Sequence, residues 1–511
     1  MERRRPPEPS TKALDPVAYV STFTFNPRPL YVPGMLADLP GYLRANGWTE
    51  PQILHHQDKV AYILDCIITA PVYDVRYSQG DFVNISYNWL VQQLGARYTK
   101  LVLTLLKDSG VIDCDYRYWN GQGVDGAGKN LGYCITSTYV GKPVGVLIYK
   151  QETFGKKLWD QRHDEEHQLK KDRFLNRIHR DMKELRLDFT PARDLNERIY
   201  DTTLEFIVAH RATVDKTKVT KKAYAALLDA AFEADELHIQ LPSRAKLRKV
   251  LLPRQLKNRE QHEPETTIYA VLKARALDAY TSNLVALEKL RNLQLKPPTR
   301  PIKGSRVYTA LTNLASCFRQ FLYHADAPAE VLVNIDIKNS QPFMLNLLLA
   351  DKYRYQELPA DAEHYMDLTA SGKFYEHVAA AMKIPMRNKR ERREFKGWFF
   401  ASLFFCKNQH TVAGKCGKWF EEHFPNVYQL IRDMKFARYQ DLADAMQKRE
   451  ASVILDTVLK ALHANKVWAA TIHDSVVCRP DDAALVRELV EEAFRLKAGI
   501  VPGLDVEPLQ K

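Results

Sequence analysis

Two short segments of the sequence carry carboxylates in settings that suit chemistry. In AEVLVNIDIKNSQPF the residues Val331, Val333, Ile335 and Ile337 alternate with Leu332, Asn334 and Asp336, the period of a half-buried strand, so Asp336 faces away from its apolar neighbours. In KVWAATIHDSVVCRP two apolar runs meet at His473 and Asp474, the pattern of a β-hairpin that lifts one carboxylate to its tip. Two such aspartates, 138 residues apart in sequence, can bridge a pair of hard divalent ions once strands bring them together. In-line transfer of a nucleotidyl group needs that arrangement: one ion activates a 3′-hydroxyl and the other steadies the leaving pyrophosphate. Each aspartate alone reads more readily as a turn or cap residue.

Between them lies NKRERREFKGWFFASLFFCKNQH, in which Arg392, Lys396, Phe400 and Phe404 recur every four residues. On a helix these form a slowly spiralling stripe of two cations and two aromatics, able to hold a triphosphate and to pack a base and sugar. The bland alternative is a basic amphipathic helix with an aromatic end in the core.

Taken in order, Asp336, the stripe from Arg392 to Phe404, and His473-Asp474-Ser475 resemble motifs A, B and C of the family A DNA polymerases and the related phage and mitochondrial single-subunit RNA polymerases. GSRVYTALTNL (Gly304 to Leu314), followed by Arg319, is similar to the primer-template contact region before motif A, and Gln447 falls where the family has a glutamine on a palm helix. The resemblance spans about residues 295 to 500. It implies Asp336 and Asp474 as catalytic ligands of two Mg²⁺ ions, or Mn²⁺ in their place, and Arg392, Lys396, Phe400 and Phe404 as the nucleoside triphosphate site. It also implies His473, Arg306, Asn313, Arg319 and Gln447 as contacts to the template-primer.

Three positions depart from the family. Motif B ends in Phe404-Phe405 in place of Tyr-Gly, and motif C ends in Ser475, as in the RNA polymerases. Gln341, five residues after Asp336, stands where the DNA enzymes place a bulky residue that blocks a ribose 2′-hydroxyl. Its size, with the absence of a hydroxyl at Phe404, favours deoxynucleotides.

The elements that must position these residues follow from the rest of the chain. At about 150 residues per domain, 511 residues make about three folding units. Residues 1–50 are proline-rich and read as an irregular arm. Residues 51–150 run helix, helix, turn, helix, then a β-hairpin with the glycine-rich tip GQGVDGAGKNLG, an order that resembles a winged helix-turn-helix. Asn84 or Ser86 caps its second helix, Leu94-Gly95 turns, and Leu101, Leu105 and Val111 are expected to line the buried face of the third. Arg97, Tyr98, Thr99 and Lys100 lie at the end that meets DNA or RNA in such motifs, with Lys129 and Asn130 on the wing.

Residues 151–300 are strongly helical. By the resemblance they are thumb-like, with 301–342 the palm of motif A, 343–450 the fingers and 451–511 the palm of motif C. The fold expected is therefore a multidomain α+β chain: a winged helix, a mainly helical thumb, and a right-hand core with an antiparallel palm sheet.

The formal net charge is +12, and residues 241–306 hold most of it, with 15 Lys and Arg against 5 Asp and Glu. Cations clustered there, among them Lys246, Arg248 and Lys249, suit a phosphate backbone whose counterions they release. Seven scattered cysteines without C-x-x-C spacing argue for reduced thiols and against a zinc finger. No run approaches the roughly 18 apolar residues of a membrane span, and ERRRPPEPS is no signal core, so the expected location is cytoplasmic.

These features together predict a small DNA polymerase of a mobile element, without proofreading because no N-terminal exonuclease pattern is seen. The alternatives are a single-subunit RNA polymerase or primase-like enzyme, and a DNA-binding replication initiator or regulator with an inactive palm.

Overall fold

The computed structural model describes residues 29–74, 77–78, 80–116, 130–146, 153–158, 160, 169, 171–234, 239, 241–242, 267–293, 295–300 and 306–509. Lys246, Arg248 and Lys249, the wing residue Lys129, and much of the basic run lie outside them. The chain divides into two compact units, one of residues 1–165 and 193–288, the other of 166–192 and 289–511.

In the first unit, the irregular arm expected over 1–50 is overturned from residue 30 onward. The apolar string Leu30–Pro33 is buried throughout as strand β1, since four consecutive side chains gain by leaving water. The 24-residue helix Glu50–Tyr73 follows, opened by a reciprocal Thr49–Gln52 capping box. Beyond strand β2 (Val83–Asn84), Ser86 caps the helix Tyr87–Leu94 by accepting a hydrogen bond from Trp89 N at 3.3 Å. Gly95, at φ +88°, breaks the chain before the helix Ala96–Asp108, a backbone conformation that side chains rarely adopt.

That second helix buries Thr99, Val102, Leu103 and Leu106, spaced to form one face. Leu101 points outward, so the expected buried face was one residue out of phase there, whereas Val111 is buried as expected. Strands β3 (Ile112–Cys114) and β4 (Gly132–Ile135) pair antiparallel, and the sheet runs in the order β2-β4-β3. Strand β5 (Pro143–Val146) pairs antiparallel with β1. Farther along, the helices Lys221–Ala234 and Ile268–Arg291 share a smaller core through Leu227, Ala231, Val271 and Leu272.

The expected helical block 151–300 is not one body. The helix Arg173–Glu184 and strand β6 (Leu185–Leu187) belong to the second unit, where β6 pairs antiparallel with β7 (Leu322–His324). The centre of this unit is a four-stranded antiparallel sheet in the order β11-β8-β10-β9, with β8 Val333–Ile337, β9 Ala469–Ile472, β10 Ser475–Cys478 and β11 Leu504–Pro508. The helix Ala483–Ala498 packs on β8 and β10, and the helices Ser340–Lys352 and Asp441–Val453 pack on it and on each other. These last two overlap the expected fingers range 343–450 but pack against the helix that covers the sheet, where the buried ring of Phe343 meets Phe494 edge-on at 5.3 Å. The helices Ala360–Ala370, Phe374–Ala381, Lys389–Phe399 and Pro425–Met434 lie between them in sequence, and the buried rings of Tyr365, Phe374, Phe399, Phe420 and Phe424 gather among these helices.

No described helix is long and apolar enough to cross a membrane. All seven cysteines are free thiols.

Candidate active site

Strand β8 alternates as its sequence implies, with Ile335 and Ile337 buried and Asp336 only partly covered. The hairpin from β9 to β10 turns on His473 and Asp474, with His473 at φ +56°. Ser475 stands opposite Asp336 in the antiparallel register of β10 with β8, which carries Asp474 to the side of Asp336. The two carboxylates interact: burial, then Asp474, then Asp505 push the Asp336 carboxyl up to about 7.

Asp505 is a neighbour that the sequence reading missed. It faces Asp336 directly across β11, and Lys338 Nζ holds it at 2.7 Å. Asp336 and Asp474 suit a hard divalent cation, since two acidic groups set side by side with the Asp336 carboxyl half-buried are relieved by positive charge. Mg²⁺ characteristically takes one or two carboxylates and completes its shell with water and phosphate. Among the described residues, no group of three or more His, Cys, Asp or Glu gathers in a metal-holding cluster.

The helix Lys389–Phe399 begins at Asn388, whose side chain accepts from Glu391 N at 2.9 Å. Lys396 lies with its Nζ 4.9 Å from the centre of the Tyr375 ring. Burial and Arg392 lower its pKa, while Asp336 and Asp474 act in the opposite sense, so this lysine is within electrostatic reach of both sheet carboxylates. Arg392 pairs with Glu376. Phe400 is half-buried.

Phe404 does not join the stripe. The α-helix ends at Phe399 and continues as a π turn, Phe400–Phe404, closed by Phe405 N donating to Phe400 O at 2.8 Å. The wider turn sends Phe404 into the core, where it is fully buried 5.4 Å from Phe399. Phe405 takes the place beneath Phe400, stacked at 5.4 Å and 25° and 41% exposed. The buried Lys435 closes this end of the turn, its Nζ donating to Leu403 O and Thr411 Oγ1, each at 2.6 Å.

Beside the hairpin, the Arg306 guanidinium grips Glu450 with Nε to Oε1 at 2.7 Å and Nη2 to Oε2 at 2.6 Å. Gln341 Nε2 donates to the same Oε2 at 3.3 Å. Glu450 is fully buried, and the sequence reading missed it. Burial raises its pKa against the pull of Arg306. Burial lowers Arg319, which feels Asp336. Burial and Arg306 also lower His473, whose ring meets Tyr308 edge-on at 6.3 Å. Gln447 is half-buried on the helix that carries Glu450, and Asn313 is exposed at the end of the short helix Ala310–Asn313.

Of the four residues singled out in the first unit, Arg97 and Lys100 are exposed. Tyr98 packs against His56 with Lys59 Nζ 4.7 Å above its ring. The expectation for Thr99 fails: it is fully buried and its hydroxyl donates to Gly95 O at 3.0 Å, so it cannot meet a nucleic acid.

No family model matches the chain, and no curated protein is similar to it. Among solved structures it is similar to the POL domain of Pol1 from M. smegmatis, in complex with DNA primer-template and dNTP. The identity is 13%, the match covers 71% of this chain and 75% of that one, and the TM-score is 0.41.

Proposed function

We propose that this chain is a template-directed nucleotidyltransferase, a small DNA polymerase of the family A kind that extends a primer. The observation that carries the reading is the pairing of β8 with β10, which sets Asp474 beside Asp336 in front of Lys396. That juxtaposition of two acidic groups and one cation, drawn from three separate sequence segments, is what the motif order leads one to expect.

Asp336 and Asp474 would hold the divalent ions, Mg²⁺ or Mn²⁺. When bound, these would activate the primer 3′-hydroxyl and neutralise the leaving pyrophosphate. Lys396 and Arg392 would receive the triphosphate, Phe400 and Phe405 would pack the base and sugar, and Gln341 would screen the ribose 2′ position. His473 and Arg306 would approach the primer terminus. Positioning and charge neutralisation would then supply most of the rate. In the first unit, the helix order and the β2-β4-β3 sheet support a winged helix that presents Arg97 and Lys100 to a nucleic-acid backbone.

Purified protein incubated with Mg²⁺, a primed DNA template and labelled deoxynucleotides tests the proposal. Extension that disappears in Asp336→Ala and Asp474→Ala is expected. Failure of the folded wild-type protein to extend, or extension that persists in both variants, would sink it.

A further inference from the structure

We infer that Glu450 is the positioning residue of the sugar gate, holding the Gln341 amide in one orientation and tying it to Arg306; the inference rests on the nucleotidyl-transfer reading above. Glu450 is the meeting point of three donors: Arg306 Nε at 2.7 Å, Arg306 Nη2 at 2.6 Å and Gln341 Nε2 at 3.3 Å. It is fully buried, and a buried carboxylate is costly unless its acceptors are satisfied. A packed apolar side chain would fill that space without the desolvation penalty, so the pair is better explained by what it orients than by stability.

An ionised carboxylate only accepts hydrogen bonds, so the Gln341 amide must turn its nitrogen towards Glu450. The amide is planar, and its Oε1 is thereby fixed on the opposite edge. Gln341 sits at the start of the helix Ser340–Lys352, five residues beyond Asp336, and the Glu450 that holds it is within electrostatic reach of Asp474. Arg306 uses Nε and Nη2 on Glu450, which leaves Nη1 outside the pairing. One buried carboxylate therefore anchors both the residue assigned to the sugar and a residue assigned to the primer duplex.

The test is single-nucleotide primer extension, comparing kcat/KM for deoxy- and ribonucleotides in the wild type, Glu450→Gln, Gln341→Gly and the double variant. Glu450→Gln keeps the shape but gives the amide a second possible orientation. It is expected to shift the ratio towards ribonucleotides by about five- to tenfold, the scale of one lost hydrogen bond. Gln341→Gly should shift it in the same direction, and adding Glu450→Gln to Gln341→Gly should move it no further, which a purely structural role would not produce. If Glu450→Gln folds poorly by thermal melting, Glu450→Asp is read instead: it keeps a charge for Arg306, withdraws from Gln341, and must shift the ratio likewise. A wild-type ratio in the folded Glu450 variant, or additive effects in the double variant, overturns the inference. No extension by the wild-type protein overturns the nucleotidyl-transfer reading as well, which tells the two failures apart.

Discussion

Arg392 forms its ion pair with Glu376, a residue of the preceding helix. Both side chains are well exposed, at 41% and 38%, so water screens the pair and little free energy holds it. Glu376 competes with a triphosphate for Arg392, offsetting its charge and occupying its Nη1. Glu376→Gln should therefore lower the nucleotide KM by about two- to fivefold, the weight of a surface ion pair. Arg392→Ala should raise it, and steady-state extension kinetics read both. An unchanged KM in Glu376→Gln would mean that Arg392 stays with its neighbour throughout.

Asp336 makes metal-free stability depend on pH. Its folded pKa is raised from 3.8 to about 7, so the folded state binds the proton more tightly than the unfolded state does. The stability this gives is fully present below about pH 3.8 and is lost as pH rises through about 7. Asp336→Asn escapes the loss. With metal chelated, the variant should gain up to ~4 kcal/mol over wild type at pH 8 and almost nothing at pH 3.5 relative to that gain. Chemical denaturation at the two pH values checks this, and an equal difference at both would refute it.

Phe404 and Phe405 should separate cleanly. Phe404→Ala empties a fully buried site and is expected to destabilise by ~3–5 kcal/mol. Phe405→Ala removes an exposed ring stacked on Phe400, so its cost in stability should be within ~1 kcal/mol, with the main effect on nucleotide KM. Denaturation curves alongside kinetics decide. The reverse assignment would return Phe404 to the nucleotide stripe.

Arg97→Ala combined with Lys100→Ala should weaken DNA binding by the full chain. The slope of log affinity against log salt should fall by about 2, one unit for each lost phosphate contact. A fluorescence-anisotropy titration over a salt series measures the slope. An unaltered slope would remove this helix from the nucleic-acid interface.

The sequence made the heart of the site readable because its signals are local. The alternation around Asp336 and the two apolar runs meeting at His473-Asp474 each specify a strand and a face within a few residues. Lys396 was readable for the same reason, from helical spacing. Strand β11 was not, since LDVEP carries two charges and lies at the sheet edge with none of its five residues buried, so it has no apolar face whose alternation could be seen. Glu450 looked like one more charge in the mixed run QKREAS, and its partner Arg306 is 144 residues away. The exchange of Phe404 for Phe405 depends on a hydrogen bond from i+5 to i, and nothing in FASLF distinguishes that turn from an α-helical one. Thr99 was misjudged because its helix was phased by leucines, one of which faces water.

The π turn also bears on how the chain tolerates insertion and deletion. A turn closed at i+5 holds one residue more than an α turn, so Phe400–Phe404 is equivalent to an α-helix with one residue inserted. Deleting the exposed Ala401 would bring Phe405 to four residues beyond Phe400 and leave Phe404 three beyond it, so one ring would keep its outward place and the other its inward one. A helix of ordinary pitch with aromatics four and eight residues after the lysine would thus be the counterpart of this segment, its second ring answering to Phe405 and its alignment to this chain requiring a one-residue gap.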